Sequence, residues 1–197
     1  MVRIPHISAV VVAAGGSTRM TGQNKLLLPW RDKCVVESVV DRVCAVGLCE
    51  VIVVTGYQRR EIEQQLGSYP VRFAYNRSSS SGMASSIRTG VRAAGGKGYF
   101  MVLGDMPMVT LETMAKVADA LESASAIVLP VMGGRRGNPV AIGSAYRKEL
   151  LNLEGDRGAR SVMRQHPDNV VEVEVEDPGI FIDVDTRETY LQALRSC

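Results

Sequence analysis

The feature that most constrains the fold is an apolar strand that runs into a turn of small residues near the start of the chain. Residues Ile7 to Val12 are apolar and mostly β-branched, which favours a buried strand. Small side chains after it allow a tight turn and a close approach of the backbone to a ligand. Two cations, Arg19 and Lys25, follow the turn, and this combination is typical of polyphosphate binding. The turn consists of Ala13, Ala14, Gly15, Gly16 and Ser17.

Strand-like and helix-like segments alternate through the first 130 residues. Apolar runs at 50–55, 71–75, 99–104 and 126–130 predict further strands, and helical spacing is found between them. Such alternation indicates parallel strands joined by right-handed helical crossovers. The sequence therefore predicts the α/β class, with a three-layer α/β/α, Rossmann-like architecture and a mostly parallel central sheet.

The pattern changes after residue 130. Residues 132–142 predict a loop or hairpin laid over the sheet, and residues 150–165 predict helices broken at Gly155–Gly158. Valine and glutamate alternate over 171–176, which predicts a strand with one solvated face at a sheet edge. No internal repeat or linker separates these segments, so we expect a single domain over 1–197.

Composition excludes several classes of protein. A formal net charge of +2 over 197 residues argues against a nucleic-acid partner. Four cysteines without a Cys-x-x-Cys motif indicate reduced thiols. No apolar run reaches the ~18 residues of a membrane span, and the first residues lack a signal-peptide pattern, so we expect a cytoplasmic protein without a membrane partner.

Carboxylates follow two of the later strand-like segments. Asp105 ends the segment at 99–104, and Asp183 and Asp185 flank Val184, so that both point to the same side of an extended chain. Ligands of open α/β sheets bind beyond the carboxyl ends of the strands, where we expect these groups to meet the glycine-rich turn. Carboxylates there could hold Mg²⁺ (or Mn²⁺), although each could instead cap a helix or face solvent.

The polar segments also have ordinary structural explanations. The first turn matches neither a Walker loop nor a Rossmann fingerprint, and it could be a tight turn without a ligand. The segment 135–139 could be an exposed charged turn, and 155–160 could be a capped helix break. The serine run at 78–81 could be a solvated loop before the next helix.

Five motifs nevertheless resemble one family along nearly the whole chain. The opening A-A-G-G-S-T-R-M with its later lysine, L-G-D-M-P at 103–107, G-R-R-G-N-P at 134–139, G-D-R-G-A-R at 155–160 and D-V-D-T at 183–186 occur in order. They are similar to the motifs of molybdenum cofactor cytidylyltransferases, within the MobA-like nucleotidyltransferase superfamily. One more residue separates Arg19 from Lys25 than in the family's usual pattern.

The resemblance implies a role for each matching residue. Residues 1–130 would bind the nucleotide, and residues 131–197 would bind the acceptor and complete the metal site. The turn at 13–17 would wrap the nucleotide, with Arg19, Lys25 and Asp105 as the catalytic groups. Asp105 and Asp185 would be the metal ligands, with Asp183 as the alternative to Asp185. The segment near the base would supply Ser81, Gly82 and Ser86, and acceptor contacts would come from Arg135, Arg136, Gly137, Asn138, Pro139 and Asp156.

The resemblance also implies the reaction. CMP would pass from CTP to the terminal phosphate of a molybdopterin-type cofactor, with release of pyrophosphate. The substrates would be a nucleoside triphosphate and a phosphorylated pterin, and a molybdoenzyme or its maturation factor could be a partner. Two alternatives stay open: transfer of guanylyl or another nucleotidyl group to the pterin or a different phosphorylated acceptor, and a non-catalytic carrier of the cofactor.

Overall fold

The computed structural model describes residues 6–16, 20 and 23–195. Within these residues the chain forms ten strands, seven α-helices and five short 3₁₀ helices. The strands are β1 (Ile7–Ala13), β2 (Pro29–Trp30), β3 (Lys33–Cys34), β4 (Glu50–Thr55), β5 (Arg72–Tyr75), β6 (Gly98–Leu103), β7 (Ile127–Met132), β8 (Arg135–Arg136), β9 (Val140–Gly143) and β10 (Val170–Glu174). The helices are α1 (Val35–Ala45), α2 (Arg59–Gln65), α3 (Met83–Ala93), α4 (Leu111–Asp119), α5 (Arg147–Leu151), α6 (Arg160–Gln165) and α7 (Arg187–Arg195).

One mixed, mostly parallel sheet forms the centre of the fold. Its strand order is β10-β7-β9-β6-β1-β4-β5, with β8 paired to β7, while β2 and β3 form a separate small hairpin. Strand β1 lies between β4 and β6 and is parallel to both. Strand β10 is at one end of this order, as its alternation of valine and glutamate predicts. The predicted α/β class with a mostly parallel sheet is confirmed.

The segment at 132–142 differs from its sequence-based description. Only its first part is a hairpin, in which β8 pairs antiparallel with the end of β7. Its second part, β9, lies within the sheet between β6 and β7 and is antiparallel to both. All four residues of β9 are buried, so their backbone groups need hydrogen-bonding partners on both sides. The expectation that the whole segment covers the sheet was wrong.

Helices cover both faces of the sheet. Alternate β1 side chains point to opposite faces, with Ala9 and Val11 in one apolar cluster and Val10 in the other. The first cluster includes residues of α1, α2, α4 and α7, and the second includes residues of α3, α5 and α6. This is the predicted three-layer arrangement. In the described part of the chain, no helix is long and apolar enough to cross a membrane.

All the parallel strands end at one edge of the sheet. Strand β9 is antiparallel to both β6 and β7, so β7 points the same way as β6 and β1. The segments after β1, β4, β5, β6 and β7 therefore emerge on the same side of the molecule. This edge is where ligands bind in open α/β folds.

Helix α3 packs against the middle of the sheet through a glycine. A Cβ atom added to Gly90 would lie 2.2 Å from Cγ1 of Val10 and 3.0 Å from Cγ2 of Val54. These methyl groups belong to the neighbouring strands β1 and β4, which leave no space for an extra carbon. Close packing here sets the distance between α3 and the sheet.

We expect Gly90→Ala to destabilise the fold. Overpacking costs about 1–3 kcal/mol, and the better helix propensity of alanine returns about 1 kcal/mol. Because the added Cβ would lie only 2.2 Å from Val10 Cγ1, we expect a cost in the upper part of this range. Urea denaturation should then give a free energy of unfolding up to about 2 kcal/mol below that of the wild type. Gly95→Ala is the control, because its added Cβ would meet only the Glu50 carboxylate at 3.6 Å. Equal stability of Gly90→Ala and the wild type would contradict this packing.

Candidate active site

A cavity of about 610 Å³ lies at the edge where the parallel strands end. Its walls come from the turn after β1, the segment around Lys25, the segments that follow β4, β5 and β6, and two segments of the last third of the chain. The polar lining residues are Lys25, Tyr57, Ser79, Ser80, Ser86, Asp105, Asp156, Asp183 and Asp185. The other lining residues are Val12, Gly15, Gly16, Leu26, Gly82, Met83 and Leu103.

The turn after β1 enters the cavity at its two glycines. Ala13 and Ala14 are buried below it, whereas Gly15 and Gly16 are exposed and line the wall. The carbonyl oxygen of Ala14 accepts a 3.2 Å hydrogen bond from the backbone N–H of Tyr57, which ties the turn to the segment after β4. The predicted roles of Ser17 and Arg19 fall on residues outside the described part of the chain.

Lys25 is held in the cavity by the short 3₁₀ helix that it begins. The Asn24 side chain accepts a 3.1 Å hydrogen bond from the Leu26 N–H, and the Leu26 side chain is buried. The Lys25 side chain is only 12% exposed, and its ammonium group donates to the carboxylates of Asp105 and Asp185. The lysine and two carboxylates therefore meet at one point, although they lie far apart in the sequence.

Backbone hydrogen bonds bring the two carboxylates together. Asp105 follows β6, and its carbonyl oxygen accepts a 2.8 Å hydrogen bond from the Val184 N–H. The N–H of Asp185 in turn donates to Oγ1 of Thr189 at 3.2 Å, in the first turn of α7. The 183–185 segment is thus held between the end of β6 and the last helix.

The pKa values reflect this concentration of charge. Burial alone would lower the pKa of Lys25, but the charge of Asp105 and hydrogen bonds to both carboxylates outweigh burial and raise it. The pKa of Asp183 is also raised, by burial first and then by the charges of Asp185 and Asp105 and a hydrogen bond with Asp185. Lys25 is therefore held in its charged form, and the carboxylates around it favour binding of a cation.

A buried asparagine organises the serine-rich wall. The Asn76 side chain donates to Oγ of Ser85 and Ser86 at 2.8 and 3.0 Å and accepts from the Ser78 N–H at 2.9 Å. This network fixes the start of α3 against the end of β5. Of the residues predicted near the base, Gly82 and Ser86 line the cavity. Ser81 does not belong to the described lining, and its hydroxyl donates to the carbonyl oxygen of Ser78 at 2.7 Å.

The segment at 155–160 packs against the start of α3. The carbonyl oxygen of Gly155 accepts a 3.1 Å hydrogen bond from the Ala84 N–H. A Cβ atom on Gly82 would lie 2.4 Å from this same carbonyl oxygen and 2.6 Å from Oδ1 of Asp156. Asp156 reaches the cavity wall through this close contact.

The predicted acceptor residues 135–139 lie at the same sheet edge but not in the described lining of this cavity. The Arg135 guanidinium stacks over the Phe181 ring at 4.5 Å, and Arg136 Nε pairs with Glu172 at 2.6 Å. The N–H of Gly137 donates to the Pro130 carbonyl at 2.8 Å. The N–H of Asn138 donates to the Ile180 carbonyl at 3.0 Å, and Pro139 follows through a cis peptide bond. The segment therefore packs against Ile180 and Phe181, which come shortly before Asp183 in the chain.

The sequence-based prediction missed two residues of the site. Tyr57 and Met83 line the cavity and are 44% and 38% exposed. Tyr57 follows the end of β4 closely, and its position beyond the carboxyl end of a parallel strand was the signal that could have identified it. The same signal had already placed the polar segment 76–82, which includes Asn76, at this end of the sheet.

No group of three or more His, Cys, Asp or Glu side chains is arranged to hold a metal among residues 6–16, 20 and 23–195. Asp105 and Asp185 are a pair of carboxylates that reach one common point through Lys25. Carboxylate oxygens suit Mg²⁺ and Mn²⁺, and Mg²⁺ typically takes one or two carboxylates and completes its shell with water and phosphate oxygens. The donor chemistry of this pair is compatible with such an ion.

The fold and the site define the class of a nucleotidyltransferase, and comparison with known proteins agrees. Residues 9–170 match the model of the MobA-like NTP transferase domain. The chain belongs to this family, and the resemblance found in its motifs is confirmed. It is a nucleotidyltransferase with a nucleoside triphosphate as substrate.

Relatives over nearly the whole chain carry different names. The chain is 31% identical to nicotine blue oxidoreductase of Paenarthrobacter nicotinovorans, covering 97% of this chain and 98% of that protein. It is 27% identical to molybdenum cofactor cytidylyltransferase of Escherichia coli (strain K12), covering 95% of each. Similarity at this level establishes the family. The particular substrate has to be inferred from the residues of the site.

Solved structures support the same class. A nucleotidyl transferase from Methanothermobacter superposes with a TM-score of 0.87 at 29% identity, covering 97% of both chains. The manganese complex of Rv0371c from Mycobacterium tuberculosis has a TM-score of 0.83 at 26% identity, covering 98% of this chain and all of that one. The second structure shows that manganese binds to a protein of this fold.

We expect Gly82→Ala to weaken the binding of a nucleoside triphosphate with magnesium about tenfold or more, because the added Cβ displaces Gly155 and Asp156 from the cavity wall. Isothermal titration measures this affinity directly. The comparison variant is Gly155→Ala, whose glycine also has a positive φ, +59°, but whose added Cβ meets no atom within 4 Å. The Gly82 backbone, at φ 97° and ψ 173°, is the more strained of the two for a residue with a side chain. Equal losses in the two variants would show that backbone strain, rather than this contact, limits binding.

Proposed function

We propose that this enzyme transfers CMP from CTP to the terminal phosphate of a molybdopterin-type cofactor and releases pyrophosphate. The observation that carries the transferase chemistry is the meeting of Lys25 with Asp105 and Asp185 beside the glycine turn. The choice of CTP and pterin is supported by the order of the five motifs and by the similarity to the cytidylyltransferase of Escherichia coli.

In the proposed reaction, a phosphate oxygen of the acceptor attacks the α-phosphorus of the triphosphate. The bond between the α-phosphorus and the pyrophosphate oxygen breaks, and pyrophosphate leaves with its electron pair. The acceptor phosphate is already an anion at neutral pH, so the step needs no protein nucleophile. Catalysis then consists of positioning and of charge neutralisation.

The protein groups have distinct tasks in this proposal. Amides of the turn at 13–17 and the cations Arg19 and Lys25 offset the charge of the phosphates. Asp105 and Asp185 would hold Mg²⁺ or Mn²⁺, with Asp183 as the alternative to Asp185. When bound, the ion supplies Lewis-acid polarisation of the phosphate oxygens. Contacts to the base would come from Gly82 and Ser86, which line the cavity, and Ser81 stays a prediction of the resemblance alone.

We assign the acceptor to the C-terminal part of the chain, residues 131–197, and the nucleotide to residues 1–130. Arg135 is exposed and stacks on Phe181, two residues before Asp183. It could meet an anion next to the cavity, whereas Nε of Arg136 is already paired with Glu172. Asp156 lines the cavity itself and lies against Gly82. A molybdoenzyme or maturation-factor partner and a cytoplasmic location stay predictions.

A second candidate function comes from the relative named nicotine blue oxidoreductase, which is 31% identical to this chain. Electron transfer would not require a lysine between two carboxylates, so the site favours nucleotidyl transfer. A non-catalytic carrier of the cofactor would likewise have no chemical need for Lys25, Asp105 and Asp185 together. Both alternatives can be tested with the same purified protein.

We expect Asp105→Asn and Lys25→Ala each to reduce turnover by about 10²–10³, because each removes a charge placed at the reacting phosphates. Steady-state pyrophosphate release measures the effect, with circular dichroism to verify folding. Asp41→Asn is the control, since Asp41 forms a 2.8 Å ion pair with Lys33 and its side chain is 50% exposed. Near-normal turnover of Asp105→Asn at saturating magnesium would reject the metal assignment.

The substrates are tested by measuring pyrophosphate release with CTP, GTP and ATP against a phosphorylated pterin. We expect CTP to be the preferred nucleotide. A preference for GTP would support guanylyl transfer, and inactivity with all three would reject the pterin as acceptor. A redox change of the pterin without pyrophosphate release would favour the oxidoreductase. Triphosphate binding that does not depend on magnesium would favour a carrier.

A further inference from the structure

The ammonium group of Lys25 occupies the point where the carboxylates of Asp105 and Asp185 meet. It donates to one oxygen of each. All three side chains are largely buried, with exposed fractions of 12%, 18% and 21%. Because Lys25 begins a helical turn that is capped by Asn24 and anchored by buried Leu26, its backbone is fixed beside the carboxylates.

A divalent ion held by the same two carboxylates would lie within a few ångströms of this ammonium group. Two positive charges at such a distance repel strongly where the charged groups are largely buried. Each carboxylate oxygen that bonds to Lys25 is also a ligand that the ion would require. Lys25 and the ion therefore compete for the same oxygens, and the lysine side chain must leave before the ion can bind there.

A nucleoside triphosphate changes this balance. It brings several negative oxygens to the turn at Gly15 and Gly16, on the wall next to Lys25. These oxygens offer the lysine new partners and at the same time provide further ligands for the ion. The flexible four-carbon stem of lysine can reorient from one set of oxygens to the other without movement of the backbone.

We propose that Lys25 is a stand-in cation, which neutralises Asp105 and Asp185 until metal and triphosphate enter together and then moves to the phosphate oxygens. The inference rests on the proposed metal site. It gives Lys25 a second task beside its proposed contact with the phosphates, which is to oppose the binding of the metal alone. Metal and triphosphate then favour each other's binding beyond their direct contact, as reciprocal linkage requires.

The test is a titration of the full chain with Mn²⁺ in the absence of nucleotide, followed by electron paramagnetic resonance. Lys25→Met has nearly the same length without the charge, and we expect it to bind Mn²⁺ about tenfold tighter than the wild type. Lys25→Arg keeps the charge and should stay near the wild-type affinity. The matched control Lys33→Met removes a lysine that pairs with Asp41 at 2.8 Å outside the cavity lining, and its Mn²⁺ affinity should not change.

The inference is overturned if Lys25→Met binds Mn²⁺ with the same or lower affinity than the wild type, or if Lys33→Met gains as much. Should Lys25→Met fail to fold, Lys25→Gln serves instead. The rise in melting temperature on adding Mn²⁺ is a second readout, which should be larger for the neutral variants than for the wild type. Neither readout requires turnover. Inactivity with every nucleotide would therefore reject the proposed function, whereas the effect of Lys25 on Mn²⁺ binding would be decided separately by the titration.

Discussion

The parallel pairing of β1 with both β4 and β6 is the constraint on which the site depends. In this register Val12 lies opposite Val54 and Leu103, so all three strands end at nearly the same level. The Gly104 N–H donates to the Val12 carbonyl at 3.0 Å and continues the pairing into the loop. The glycine turn and Asp105 consequently begin side by side, because each follows the end of a central strand.

The charged cluster is built onto this edge at an energetic cost. Burial of Lys25 and its two carboxylates removes them from water, and their mutual contacts offset part of that penalty. Such a cluster contributes little net stability, so its presence is better explained by chemistry. Once Lys25 moves to an anionic ligand, the carboxylates of Asp105 and Asp185 need another cation to neutralise them. The proposed exchange therefore couples the binding of anions and cations at this site.

Much of the fold could be predicted from the sequence because its signals are local. The apolar run of β1, the alternation in β10 and the helical spacing of α1 each depend on neighbouring residues. Strand β9 could not be placed in this way, because its partners β6 and β7 are chosen by a non-local arrangement of the sheet. The same holds for the segment at 135–139. A motif identified its two arginines as candidate acceptor residues, but contacts with Phe181 and Glu172 determine where their side chains lie.

The sequence by itself determined the α/β class, the glycine turn and the carboxylates that follow strand ends, since residue type and spacing carry this information directly. Only the tertiary structure decided that Lys25, Asp105 and Asp185 meet at one point, which joins residues 80 and 160 positions apart. It also decided that Tyr57 and Asp156 share their cavity. The physical reason is that distances across a sheet edge depend on strand order and register, which no single segment of the chain contains.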